Sequence, residues 1–78
     1  MNLEKYNDTY MSIFNVTEDA LNEDFNFGTA PGWNSFAHME LIASLEDAFE
    51  IMFEVNDIMH FGGYENGKAI LRRYGVDI

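Results

Sequence analysis

The segment Gly32-Trp33-Asn34-Ser35-Phe36 places one serine hydroxyl where a Pro/Gly loop runs into an amphipathic acidic helix. An anionic group esterified to that serine would meet backbone N–H groups and the positive end of the helix dipole. To act as a nucleophile on its own account, Ser35 needs a base within hydrogen-bond reach. The two histidines are His38 and His60. His38, three residues on, falls toward the core side of the helix and reads as a partly buried, satisfied histidine. A Gly-x-Ser-x-Gly elbow is absent. Glu46 and Glu50 stand at i and i+4, but neither EF-hand spacing nor a His-Glu motif accompanies them, so no metal site is expected. A chain this short offers no cleft for a glycosidase-like carboxylate pair. No residue is assigned a catalytic role, and the chain is not expected to be an enzyme. A plainer reading of Ser35 is a helix-start residue, with Asn34 as the N-cap and the serine hydroxyl left free to solvent.

A helix turns about 100° per residue, which aligns Ser35, Met39 and Glu46 along one stripe. Glu40, Asp47 and Glu50 lie beside it, with Phe36 and Ala43 between them. The core stripe of Leu41, Ile42, Leu45, Ala48 and Phe49 points elsewhere. Ser35 therefore shares a face with four acids and three apolar residues, an arrangement suited to docking a basic patch.

The elements that must carry this face follow from periodicity. Leu3, Tyr6, Tyr10, Ile13 and Phe14 recur at helical spacing and predict a helix over 3–15 with Asn2 as its cap. Residues 16–34 form a long irregular connection punctuated by Asn22, Asn26, Gly28, Pro31 and Gly32, in which Thr17 caps one short turn. The second helix runs over 35–50. Phe53 and Val55 continue as an extended link, Asn56 caps a short helix through Ile58 and Met59, and Gly62-Gly63 ends it. A last helix over 64–74 buries Ile70 and Leu71. Arg72 and Arg73 suit its C-terminal end, and Gly75 the left-handed cap beyond. No segment reads as a strand. The expected fold is all-α: one domain over 1–78, three main helices plus a short one, with the long loop between the first and second helices.

Composition narrows the function. The chain has 78 residues, no cysteine, and fourteen acids against four bases, for a net charge of −10. Disulfides and thiolate zinc sites are excluded. Nucleic-acid binding and anionic membrane surfaces are disfavoured, because only Lys5, Lys68, Arg72 and Arg73 are basic. No apolar run is long enough to span a bilayer. The N-terminus lacks the basic-then-apolar pattern of a signal peptide, so a cytoplasmic location is expected. The acidity favours basic partners, and a monomer is expected of so small and charged a chain.

These residues resemble the acyl carrier protein family. The family opens its second helix with Gly-x-Asp-Ser-Leu and ends it with Leu-Glu-x-x-Phe-x-Ile. Here the two stretches read Gly32-Trp33-Asn34-Ser35-Phe36 and Leu45-Glu46-Asp47-Ala48-Phe49-Glu50-Ile51, joined through Met39-Glu40-Leu41-Ile42. The resemblance is strong over 32–55 and extends to the outer helices by length and apolar pattern. It implies a carrier with 4′-phosphopantetheine covalently attached at Ser35, donated from coenzyme A by a phosphopantetheinyl transferase. The arm's terminal thiol would hold an acyl or aminoacyl group as a thioester for biosynthetic enzymes with basic docking patches, as in fatty acid or polyketide assembly. It also implies that Phe36, Met39, Glu40, Ala43, Glu46 and Asp47, with Glu50 beside them, meet those partners. Trp33 through Met39 looks more like free-standing carriers of specialised pathways than the housekeeping carrier. Asn34 replaces the usual Asp, Phe36 the usual Leu, and Gly63 a capping Ser or Thr. Gly67 inside the last helix predicts a loosely held C-terminal part, since an interior glycine costs about 1 kcal/mol against alanine. Asn34 also motivates an alternative: an unmodified interaction module on the carrier fold.

Overall fold

Apolar side chains recurring every three or four residues bury one face of each longer helix, and a side-chain cap fixes the start of the second. A computed structural model describes residues 1–78. α1 spans Asn2–Phe14, α2 Ser35–Phe49, α3 Val55–His60 and α4 Tyr64–Arg73, with one 3-10 turn at Glu18–Ala20. The architecture is a small all-α bundle of three longer helices and one short one, with the long connection between α1 and α2. A single antiparallel bridge, Asn26 to Gly63, is its only β-type pairing. No helix is long and apolar enough to cross a membrane.

Two expected caps sit elsewhere. Met1, not Asn2, occupies the N-cap of α1, and the Asn2 amide donates instead to the Asp77 carbonyl at 2.9 Å, tying the two ends of the chain together. α3 is capped two residues before the expected Asn56. Its N-cap is Glu54, whose extended backbone N–H donates to the Tyr74 hydroxyl at 2.9 Å, so Val55 is the first helical residue rather than part of a link. The Thr17 hydroxyl donates to Asp19 and makes no cap bond to the turn that follows it. Ala48 and Phe49 are only half-buried, because the end of α2 runs past the core. Phe49 instead offers its ring to the Lys5 ammonium, 5.0 Å from the centroid.

The core is built on aromatic rings. Tyr6, Tyr10, Phe25, Trp33, Phe53, Phe61 and Tyr64 are buried together with Leu41, Ile42, Leu45, Ile70 and Leu71. Edge-to-face contacts dominate, as ring quadrupoles favour; Tyr10 meets Tyr6 at 4.9 Å and Tyr64 at 5.3 Å between centroids. The buried phenols are hydrogen-bonded, as burial demands. Tyr6 donates to the Tyr64 carbonyl at 2.7 Å, which leaves its oxygen to accept from the Tyr10 hydroxyl at 2.9 Å. Burial pushes both phenols well above their usual range, so both stay protonated donors. The Tyr64 hydroxyl donates to buried Asn7, whose amide reaches Glu18 at 3.1 Å.

The long connection is a structural member, not a free loop. Phe25 and Trp33 insert into the core from it. Two backbone bonds pin its middle to the start of α4: Phe27 N–H to the Gly62 carbonyl and Tyr64 N–H to the Phe25 carbonyl, both 2.9 Å. Gly63, the N-cap of α4, sits at this crossing. A Cβ on it would stand 2.0 Å from the Asn26 side-chain oxygen, so a capping Ser or Thr there would have to push the Asn26 side chain aside. Asn66 supplies the missing cap from within the helix, accepting from the Gly62 and Gly63 N–H groups at 2.7 and 3.0 Å.

α3 is fastened to the end of α4 by a carboxylate. Buried Asp57 accepts from the Tyr74 hydroxyl and from Arg73, each at 2.5 Å. The Tyr74 hydroxyl first, and the Arg73 guanidinium second, hold the Asp57 carboxyl below its usual range. A carboxyl whose acidity is raised by folding stabilises the fold above the unfolded value of about 3.9 and loses that contribution as pH falls below it. Asp57→Asn is therefore expected to flatten the fall in urea midpoint below about pH 4 and to lower the midpoint at pH 7. An unchanged acid limb would dissociate Asp57 from that fall.

Candidate functional site

Asn34 decides the start of α2. Its backbone is extended and its side-chain oxygen accepts from the Ala37 N–H at 2.9 Å, while its carbonyl takes the His38 N–H at 2.8 Å. A cap of this kind is worth about 1 kcal/mol. Ser35 is then the first helical residue. Its side chain is exposed and its hydroxyl makes no hydrogen bond. The backbone N–H groups of Ser35 and Phe36 also lack partners, as the opening turn of a helix leaves them. A free hydroxyl beside two free N–H donors at a helix N-terminus fits an anionic phosphodiester rooted on that oxygen.

A groove of about 370 Å³ borders Ser35. His38 and Met39 of α2 form one wall with Ser35, and Ile58 and Met59 of α3 form the other. Phe27 from the long connection and Phe61-Gly62 close its far side. Phe36 and Met39 are 81% and 53% exposed and Met59 76%, so apolar side chains flank the serine at the surface.

The expected docking positions divide in two. Phe36, Met39, Glu40, Ala43, Asp47 and Glu50 are exposed. Glu46 is half-buried, and one of its oxygens accepts the Phe53 N–H at 2.9 Å. That carboxylate closes the turn after α2 as well as facing outward. Glu50 stands in the left-handed conformation that terminates α2, at φ 54°.

All four basic side chains are engaged within the chain. Lys5 lies over Phe49, Lys68 over Tyr64 with Glu65 at 3.4 Å, Arg72 on the Ile78 carbonyl at 3.1 Å, and Arg73 on Asp57. Neither ion pair of the molecule involves Glu40, Asp47 or Glu50, so the acids beside Ser35 are unpaired and the face is negatively charged.

His38 is the half-buried, satisfied histidine its position implied, and it does more than fill space. Its Nδ1 accepts from the Trp33 indole N–H at 3.0 Å, so its proton sits on Nε2 and is donated to the Ile58 carbonyl at 2.9 Å. Both ring nitrogens are thus occupied, and neither is free to take a proton from Ser35. The groove itself was beyond sequence reasoning, because three segments distant along the chain assemble it. Compared with protein-family models, curated proteins and solved structures, the chain finds no match in any of the three.

Proposed function

We propose that the chain is an acyl carrier with 4′-phosphopantetheine attached through the Ser35 oxygen. The observation that carries this reading is the exposed, unbonded Ser35 hydroxyl at the N-terminus of a helix whose outer face is acidic and apolar. The Ser35 Oγ forms the new bond to phosphorus as the bond to adenosine 3′,5′-bisphosphate breaks, and its proton passes to a base on the transferase. When bound, the group supplies the thiol that the cysteine-free chain lacks, and cargo rides there as a thioester. The N–H groups of Ser35 and Phe36 would hold the phosphodiester charge. Phe36 and Met39 give a partner an apolar contact, while Glu40, Asp47 and Glu50 steer its basic rim toward the serine.

Incubation with coenzyme A and a broad-range phosphopantetheinyl transferase is expected to add one phosphopantetheinyl group by intact mass. Ser35→Ala is expected to abolish the gain entirely. No gain with several transferases would leave the alternative, an unmodified docking module, as the reading of this face.

A further inference from the structure

Of the three cavities in the molecule, the groove beside His38 is the one that borders Ser35. Its inner boundary is unusually well fastened. His38 is bonded at both ring nitrogens, to Trp33 and to the Ile58 carbonyl. Its ring stacks on Trp33 at 6.1 Å and meets the edges of Phe27 and Phe61 at 5.6 and 6.3 Å. Behind this layer the molecule is filled: Phe61 is 1% exposed and packs on Phe53, and Leu41 and Leu45 are fully buried. No chamber opens from the groove into the core. A chain entering there must displace His38, leaving the Trp33 indole N–H without an acceptor and the Ile58 carbonyl with only the 3.4 Å bond from the Phe61 N–H, a substantial penalty in an apolar interior.

We propose that His38 is the specificity-determining residue of this site, confining a group tethered at Ser35 to the surface groove and keeping it out of the core. The inference rests on the carrier reading. The cargo is then a small apolar or aromatic acyl group. At about 370 Å³ the groove sits at the small end of ligand sites. Its Met39 and Met59 thioethers adapt to varied shapes and favour aromatic rings.

The test uses the unmodified chain, so that it reads the groove whether or not Ser35 is modified; the mass gain described above reads the tether separately. Free butyryl- and decanoyl-pantetheine thioesters are titrated into the protein and followed by NMR. Both are expected to shift the Met39 and Met59 methyl resonances, while the Trp33 indole N–H and the Phe53 ring stay within a tenth of those shifts. In His38→Ala, decanoyl-pantetheine is expected to move the Phe53 ring as far as the methionine methyls, and butyryl-pantetheine is not. Circular dichroism checks that this variant is folded; if it is not, the milder His38→Ser repeats the titration, and a Phe53 ring left unmoved by decanoyl-pantetheine in a folded variant would overturn the assignment to His38. Wild-type shifts at Trp33 and Phe53 that match those of the methionines would overturn the proposal. Absence of any methionine shift would overturn it as well, since the groove would then hold neither probe.

Discussion

Gly67→Ala is expected to lower stability by about 2 kcal/mol, although alanine is much the better helix former. Gly67 sits inside α4 and is buried. A Cβ there would stand 2.3 Å from the Tyr6 hydroxyl oxygen and 2.4 Å from the Phe61 ring tip. Neither neighbour yields cheaply. The Tyr6 hydroxyl is held by Tyr64 and Tyr10, and Phe61 is wedged against Phe53 and His38. Overpacking of this severity costs about 3 kcal/mol, against which the gain in helix propensity returns about 1. The C-terminal part of the chain is thus not loosely held. The glycine is the point of closest approach between α4 and the aromatic core, and its helical cost is offset by that contact. The urea midpoint of Gly67→Ala checks this, and a midpoint at or above that of the native sequence would refute it.

Gly67 marks the boundary of what the sequence makes legible. The apolar spacing of α2, its Asn34 cap and the exposed Ser35 all depend on residues within a few positions of one another, so periodicity and capping rules reach them, whereas His38 owes one of its two bonds to Ile58, 20 residues on. Gly67 has the opposite meaning in sequence and in structure because its partner Tyr6 lies 61 residues away and Phe61 lies beyond the Gly62-Gly63 break, outside the helix. Phe25 and Trp33 lie in an aperiodic stretch, so nothing in their spacing announces that they enter the core. Nothing in the sequence singles out Asp57, and only the arrival of Arg73 and Tyr74 from the end of α4 makes its burial tolerable. The Ser35 face shows the same division. The acids of α2 could be aligned by rotation alone, whereas the bond from Phe53 to Glu46 depends on how the chain turns back after the helix.

Tyr10→Ala is expected to cost the most of any single change, because that side chain is the hub of the aromatic core. Its ring touches Tyr6, Phe14, Phe25, Trp33 and Tyr64 at centroid distances between 4.9 and 5.9 Å, and none of it is exposed. Trp33 is two residues from the Ser35 site and bonded to His38, so Tyr10 supports the site as well as the fold. Removing a buried ring costs about 3–5 kcal/mol. A chain of this length has roughly 4–12 kcal/mol in all, so the variant stands at the edge of folding. Hydroxyl deletions separate packing from hydrogen bonding. Tyr10→Phe keeps the ring and removes only a donor to Tyr6, which still donates to the Tyr64 carbonyl, for a loss of about 1 kcal/mol. Tyr6→Phe instead strands the Tyr10 hydroxyl without its acceptor and is expected to cost about 2 kcal/mol. Urea midpoints should therefore fall least in Tyr10→Phe, further in Tyr6→Phe and furthest in Tyr10→Ala. Tyr10→Ala within 1 kcal/mol of Tyr10→Phe would mean that the ring cluster can close around the gap, and that the neighbouring rings, rather than Tyr10, organise the core beneath Ser35.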